Sequence, residues 1–203
     1  VHFSYLPKAV PACRLTERDR QIIESLVYRV RVFSLAQIAR TWWTKASERD
    51  VIRRLQVLSQ DGLVTAYRAL AHPEIELTAP VCRWAPSEEV PAFGEVSYRL
   101  KGRWRQKPVS TKCVIATALA GLSFGGAGGR VPRESEQTLD IHLSVVYLHF
   151  RLHRPETISS WRSEAYVLWE RGGEKREKLP DAVLDLPTGP SIVEFGGAYS
   201  KPK

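Results

Sequence analysis

The chain has 203 residues, of which 43% are hydrophobic and 26% charged, a globular composition long enough for one large or two small cored domains, and this excludes a disordered or fibrous protein. Its 30 Lys and Arg outnumber 22 Asp and Glu for a net charge of +8, which favours an acidic macromolecule, DNA first, over an acidic small molecule as partner. The longest apolar stretches, Val114–Leu122 and Ile141–Phe150, are interrupted or too short to span a membrane. Residues 1–7 carry no secretory signal, so a soluble, cytoplasmic protein is expected. Cys13, Cys82 and Cys113 are far apart and odd in number, which supports neither a disulfide framework nor a zinc site.

In chain order, Thr16-x-x-Asp19 resembles a capping box, and Ile22, Ile23, Leu26, Val27 and Val30 repeat at helical spacing, predicting a helix over 17–30. Ser34 is placed to cap a short second helix, Leu35–Trp43. A third is expected over 46–60, with Val51, Ile52, Leu55 and Leu58 on one side and Arg49, Arg53, Gln56 and Gln60 on the other. Asp61-Gly62 stops it. Leu63–Leu70 reads as a strand, with Val81–Ala85 as its expected return partner. Three helices and a hairpin make a winged helix, which places the third helix in the DNA major groove. Arg49, Arg53 and Gln56 then face base edges, while Lys45, Arg54 and Arg68 face phosphates. The competing reading is a solvated polar face or a protein-docking module.

Residues 95–107 alternate in a way that fits either a strand or a helix. As a strand, Arg99, Lys101, Arg103, Arg105 and Lys107 form one basic face suited to a phosphate backbone, or else a charged, solvated edge. Arg103 and Arg105 are therefore further DNA-contact candidates. Residues 14–70 hold 11 Lys/Arg against 6 Asp/Glu, residues 95–112 hold 6 against 1, and residues 130–203 hold 11 of each. The basic excess thus ends before the Gly-rich stretch Gly121–Arg130, which lacks a phosphate-loop ending and is expected to be a flexible connector. The resulting division is a basic DNA-binding domain over 14–112, a connector over 113–132 and a second domain over 133–203.

The second domain is expected to open with a buried helix over 136–152, followed by strands at 158–163, 182–186 and 192–195. His142, His149 and His153 lie along that helix at spacings of seven and four, a pattern that more often marks packed or capping side chains than metal ligands. Asp181, after Pro180, and Glu194 meet on the sheet if their segments pair, and their hard oxygen atoms suit Mg²⁺.

Pro180-Asp181 with Glu194-Phe-Gly196 resembles the PD-(D/E)xK core of restriction-endonuclease-like nucleases. The chain over 14–200 resembles the replication-relaxation family of plasmids and mobile elements through Leu15-Thr-Glu-Arg-Asp19, His142, Trp161-Arg-Ser-Glu164, Pro180-Asp181 and Glu194. The resemblance implies an α+β protein, with an N-terminal winged helix followed by a restriction-endonuclease-like α/β domain that acts on DNA in replication, relaxation or mobilisation. It also implies Mg²⁺ at Asp181 and Glu194, with Glu136 or else Glu164 as an additional acid. The nuclease pattern has a lysine where Gly196 stands, which leaves Lys201 or Lys178 to supply that charge and makes a degenerate site one expectation. The helix and strand that such a fold adds after the second acid have no counterpart before Lys203, so an incomplete domain is another. The alternatives are a Mg²⁺-dependent endonuclease, and a transcriptional regulator whose C-terminal half makes a homodimer.

Overall fold

The computed structural model describes residues 13–44, 47–102, 105–172 and 178–196. Helix α1 (Glu17–Glu24) starts at a true capping box, in which the Asp19 N–H donates to the Thr16 hydroxyl and the Thr16 N–H donates to the Asp19 carboxylate at 2.7 Å. It continues through a wider π turn, Ser25–Arg29, so the expected helix over 17–30 is continuous. Ser34 and Gln37 form a second box that starts α2 (Leu35–Trp42), and Ser47 and Asp50 a third that starts α3 (Glu48–Gln60). Three consecutive boxes fix where each helix begins; the first two starts agree with the sequence reading, and the third lies two residues later than expected. Gly62, at φ 70°, then turns the chain out of α3.

A three-stranded antiparallel sheet follows, with β3 (Val109–Ala116) between β1 (Phe33–Ser34) and β2 (Val64–Ala71). β2 and β3 pair along their full length, from Val64↔Ala116 to Ala71↔Val109. The partner of β2 is therefore not 81–85, which forms no strand and is mostly exposed. Val81–Ala85 sits between Pro80 and Pro86, whereas 109–116 ends in the buried run Cys113-Val-Ile-Ala116, which has an apolar core to enter. Within the intervening insertion the basic stretch is a helix, α4 (Phe93–Lys101), with no buried residue. Alternate residues of a helix point about 200° apart, so Arg99 and Lys101 do not share the face expected of a strand.

The Gly-rich stretch is a packed strap rather than a flexible connector. Thr117 caps α5 (Ala118–Phe124) by accepting from the Ala120 N–H at 3.0 Å. The Ala127 N–H then donates to Val27 O at 3.1 Å and the Gly129 N–H to Ala116 O at 2.8 Å. A Cβ on Gly128 would stand 2.2 Å from Thr117 O, and one on Gly126 would stand 2.4 Å from Val27 Cγ1. Glycine serves close approach here.

Helix α6 (Glu134–His153) occupies the segment expected of it and lies against the first sheet. The Gln37 side-chain amide donates to Ile141 O at 2.9 Å, the Leu70 N–H donates to the Gln137 side chain at 2.8 Å, and the Ser144 hydroxyl donates to Val32 O. A 3₁₀ turn (Pro155–Ser160) then leads to β4 (Arg162–Ser163), α7 (Glu164–Glu170), β5 (Ala182–Leu186) and β6 (Gly189–Val193), with β5 central in a second antiparallel sheet. The strand expected over 158–163 shrinks to β4, because Pro155 starts a 3₁₀ turn and Ser163 caps α7, a helix not anticipated. The last strand starts earlier than expected, at Gly189.

The fold is mixed α+β with two small antiparallel sheets. Its main apolar cluster runs from Ile22 and Leu58 through Val114 and Tyr147 to Trp161 and Leu184, so packing does not stop at the expected 113–132 boundary. Trp161 is fully buried, its indole N–H donates to Arg29 O at 2.9 Å, and its ring meets that of Tyr147 edge-on at 5.5 Å.

Candidate nucleic-acid interface

Helix α3 is held by Val51, Leu55 and Leu58, which are buried on its inner side. That burial turns Arg49, Arg53, Gln56 and Gln60 outward together, and all four are exposed. No hydrogen bond or ion pair holds these side chains among the described residues, so their donors and acceptors are available to a partner. Beside this face, β2 and β3 place Arg68 directly opposite Lys112. Two cations facing each other across strands repel in the free protein, and an anion laid over them relieves that repulsion. The Arg68 guanidinium donates to the Ser110 hydroxyl at 3.2 Å, and Lys112 stands 4.0 Å from Glu48 at the start of α3. Lys112 was not anticipated; its signal was the β-branched run after Pro108.

Arg54 departs from expectation. It turns inward and grips Asp19 with two bonds, at 3.0 and 2.6 Å, while also donating to Arg14 O at 3.0 Å. It therefore fastens α3 to α1 and is not free for phosphate. Burial works against ionisation of Asp19, but bonds from Arg54 and Thr16 outweigh it and hold the carboxyl below its usual range. Arg105 is exposed beyond α4. Lys45, Arg103 and Lys201 lie outside the described residues.

The acidic residues gather elsewhere. Extending the Ala182↔Val193 register by one step sets Asp181 opposite Glu194, the pairing expected from sequence, with Glu194 exposed and Asp181 half-buried. The Asp181 carboxylate accepts from the Phe195 N–H at 2.6 Å, and its carbonyl accepts from the Glu164 N–H at 3.0 Å. Asp181 and Glu164 line one small cavity with Arg31 and Asp140. Glu136 does not line it: this acid pairs with Arg31 at 2.9 Å and Arg130 at 2.8 Å and accepts from the Arg133 N–H at 3.2 Å. Asp140, buried 3.2 Å from Arg31, has its carboxyl pushed up to about 7 by burial, which the Arg31 charge only partly offsets.

Of the two acids expected to hold Mg²⁺, Asp181 lines this cavity and Glu194 does not. The cavity holds about 10 Å³, the space of a single water, Arg31 pairs with Asp140 on its wall, and Gly196 offers no side chain. Among the described residues no group of three or more His, Cys, Asp or Glu is arranged to hold a metal. His142 is buried, with Nε2 2.9 Å from Pro73 O. Lys178 is exposed.

No family model, curated protein or solved structure matches this chain. Among the described residues no helix is long and apolar enough to cross a membrane.

Proposed function

We propose that this protein binds double-stranded DNA, with α3 entering the major groove and the Arg68–Lys112 face of β2 and β3 lying along the phosphate backbone. The unpaired Arg49, Arg53, Gln56 and Gln60 on a helix whose other side is core carry this reading. Arginine offers two donors to guanine O6 and N7, and glutamine pairs with adenine N6 and N7. The winged-helix reading is supported by the order α1, β1, α2, α3, β2, β3, with α4 inserted before the last strand, and the nuclease-like reading by α6 leading to the antiparallel strands β4, β5 and β6, with α7 between the first two. On this reading the second part is a nuclease-like scaffold that has lost its lysine and turned its carboxylates to structural bonds. The protein then works as a DNA-binding factor in the replication, relaxation or mobilisation of a plasmid or other mobile element.

The test is fluorescence anisotropy with labelled duplex over a salt series, followed by gel analysis in EDTA, Mg²⁺ and Mn²⁺. Affinity should fall with log salt at about 0.9 per phosphate contact, with no strand cut. Salt-independent affinity defeats the proposal. Metal-dependent cleavage that Asp181→Ala abolishes replaces it with the endonuclease reading.

A further inference from the structure

Of the three histidines on α6, the structure separates one from the other two. His142 is committed to the core beside Pro73, whereas His149 and His153 are exposed on successive turns with ring centroids 4.5 Å apart. Both line an open groove of about 790 Å³ between α2, the chain after β2 and the last turns of α6.

We propose that His149 and His153 bind a divalent transition-metal ion of the zinc, nickel or copper class. Histidines at i and i+4 stand on one helix face and can offer two imidazole nitrogens to one ion, an arrangement that helical zinc sites use. The other charged groups of the groove are two arginines and two glutamates. Glu76 also lines the groove, is exposed and has no partner among the described residues. Arg40 is occupied by Glu74. Arg151 is engaged by the Gln21 side chain, to which it donates at 2.7 Å, with its guanidinium 5.3 Å from the centre of the Trp42 ring. Imidazole donors select borderline ions over Mg²⁺, so this site is chemically separate from the Asp181 region.

The experiment is calorimetric titration of untagged full-length protein with ZnCl₂ and with NiSO₄, alongside His149→Ala and His153→Ala. Both side chains are exposed, and circular dichroism checks that each variant is folded. The expected result is one saturable site that each variant weakens by about tenfold or more, with millimolar Mg²⁺ failing to compete. The wild type should also gain thermal midpoint on adding Zn²⁺, and both variants should lose that gain. Absence of saturable binding in the wild type overturns the proposal, as does binding that both variants retain undiminished.

Discussion

Helices α3 and α6 both carry polar side chains, directed in opposite ways. On α3, Arg49, Arg53, Gln56 and Gln60 face solvent with no partner among the described residues. On α6, Gln137, Asp140, His142 and Ser144 are buried, and each engages chain from the N-terminal half: the Leu70 N–H, Arg31, Pro73 O and Val32 O. Polar residues on a helix can thus be a recognition face or a set of fasteners, and only their surroundings distinguish the two. Arg53 and Arg54 show the contrast between neighbours, one open to a partner and the other locked onto Asp19.

The largest effect is expected where the fastening is deepest. Trp161→Ala should cost about 3–5 kcal/mol, the usual range for emptying a buried aromatic site. If α6 and the second sheet share the core of the first, denaturant melting will show a single transition displaced as a whole; two transitions, with the N-terminal one unmoved, would break the comparison.

Next in size is a pH effect at Asp140. Its folded carboxyl titrates near 7, against about 3.9 for an unfolded Asp, so the native state holds the proton more tightly. Its stabilising contribution is complete below about pH 4 and is lost as pH rises through about 7. Asp19, held below its usual range, has the opposite dependence, with stability present above about pH 4 and lost on acidification. The thermal midpoint should therefore fall between about pH 5 and pH 7, and Asp140→Asn should flatten that slope. An unchanged slope in the variant would assign the effect to another group.

The smallest change in the free protein is expected at Arg53. Arg53→Ala should leave the melting midpoint in place while removing about 1–3 kcal/mol of discrimination between cognate and altered duplex. Arg54→Ala should do the reverse, lowering stability because Asp19 is left buried without its charge partner. Competition binding and thermal melting of the two variants side by side would sharpen the comparison; matching effects would collapse it.

Much of the first half was legible because its signals are local. Thr16 and Ser34 cap helices through bonds to residues three positions on, and apolar spacing shows which side of α3 is buried. What stayed hidden depends on distance along the chain. β2 pairs with a strand beyond a long insertion, and a nearer apolar run between prolines offered the more obvious partner. Gly126 and Gly128 look the same in sequence whether they loosen a linker or admit Val27 and Thr117 into contact. The pairing of β5 with β6, whose register ends one residue short of Asp181 and Glu194, was legible from the spacing of the two segments. The capture of Asp181 by the Phe195 N–H was not, nor was the pairing of Arg31 with Asp140, because both depend on how the chain ends a sheet or brings a distant turn onto a helix.

The insertion between Ala71 and Val109 also bears on how the chain acquires its shape. A tight hairpin can form early, because its strands meet across a few residues, whereas β2 and β3 must find each other from the ends of a long excursion. The entropy of closing such a loop grows only with the logarithm of its length, by about 0.6 kcal/mol for each doubling. The ladder therefore tolerates the insertion at equilibrium and bears its main effect in folding rate, which falls as contacts become less local. The tip of this hairpin is accordingly where the chain can gain or lose sequence, or accept a grafted module, with the least disturbance to the register beneath it.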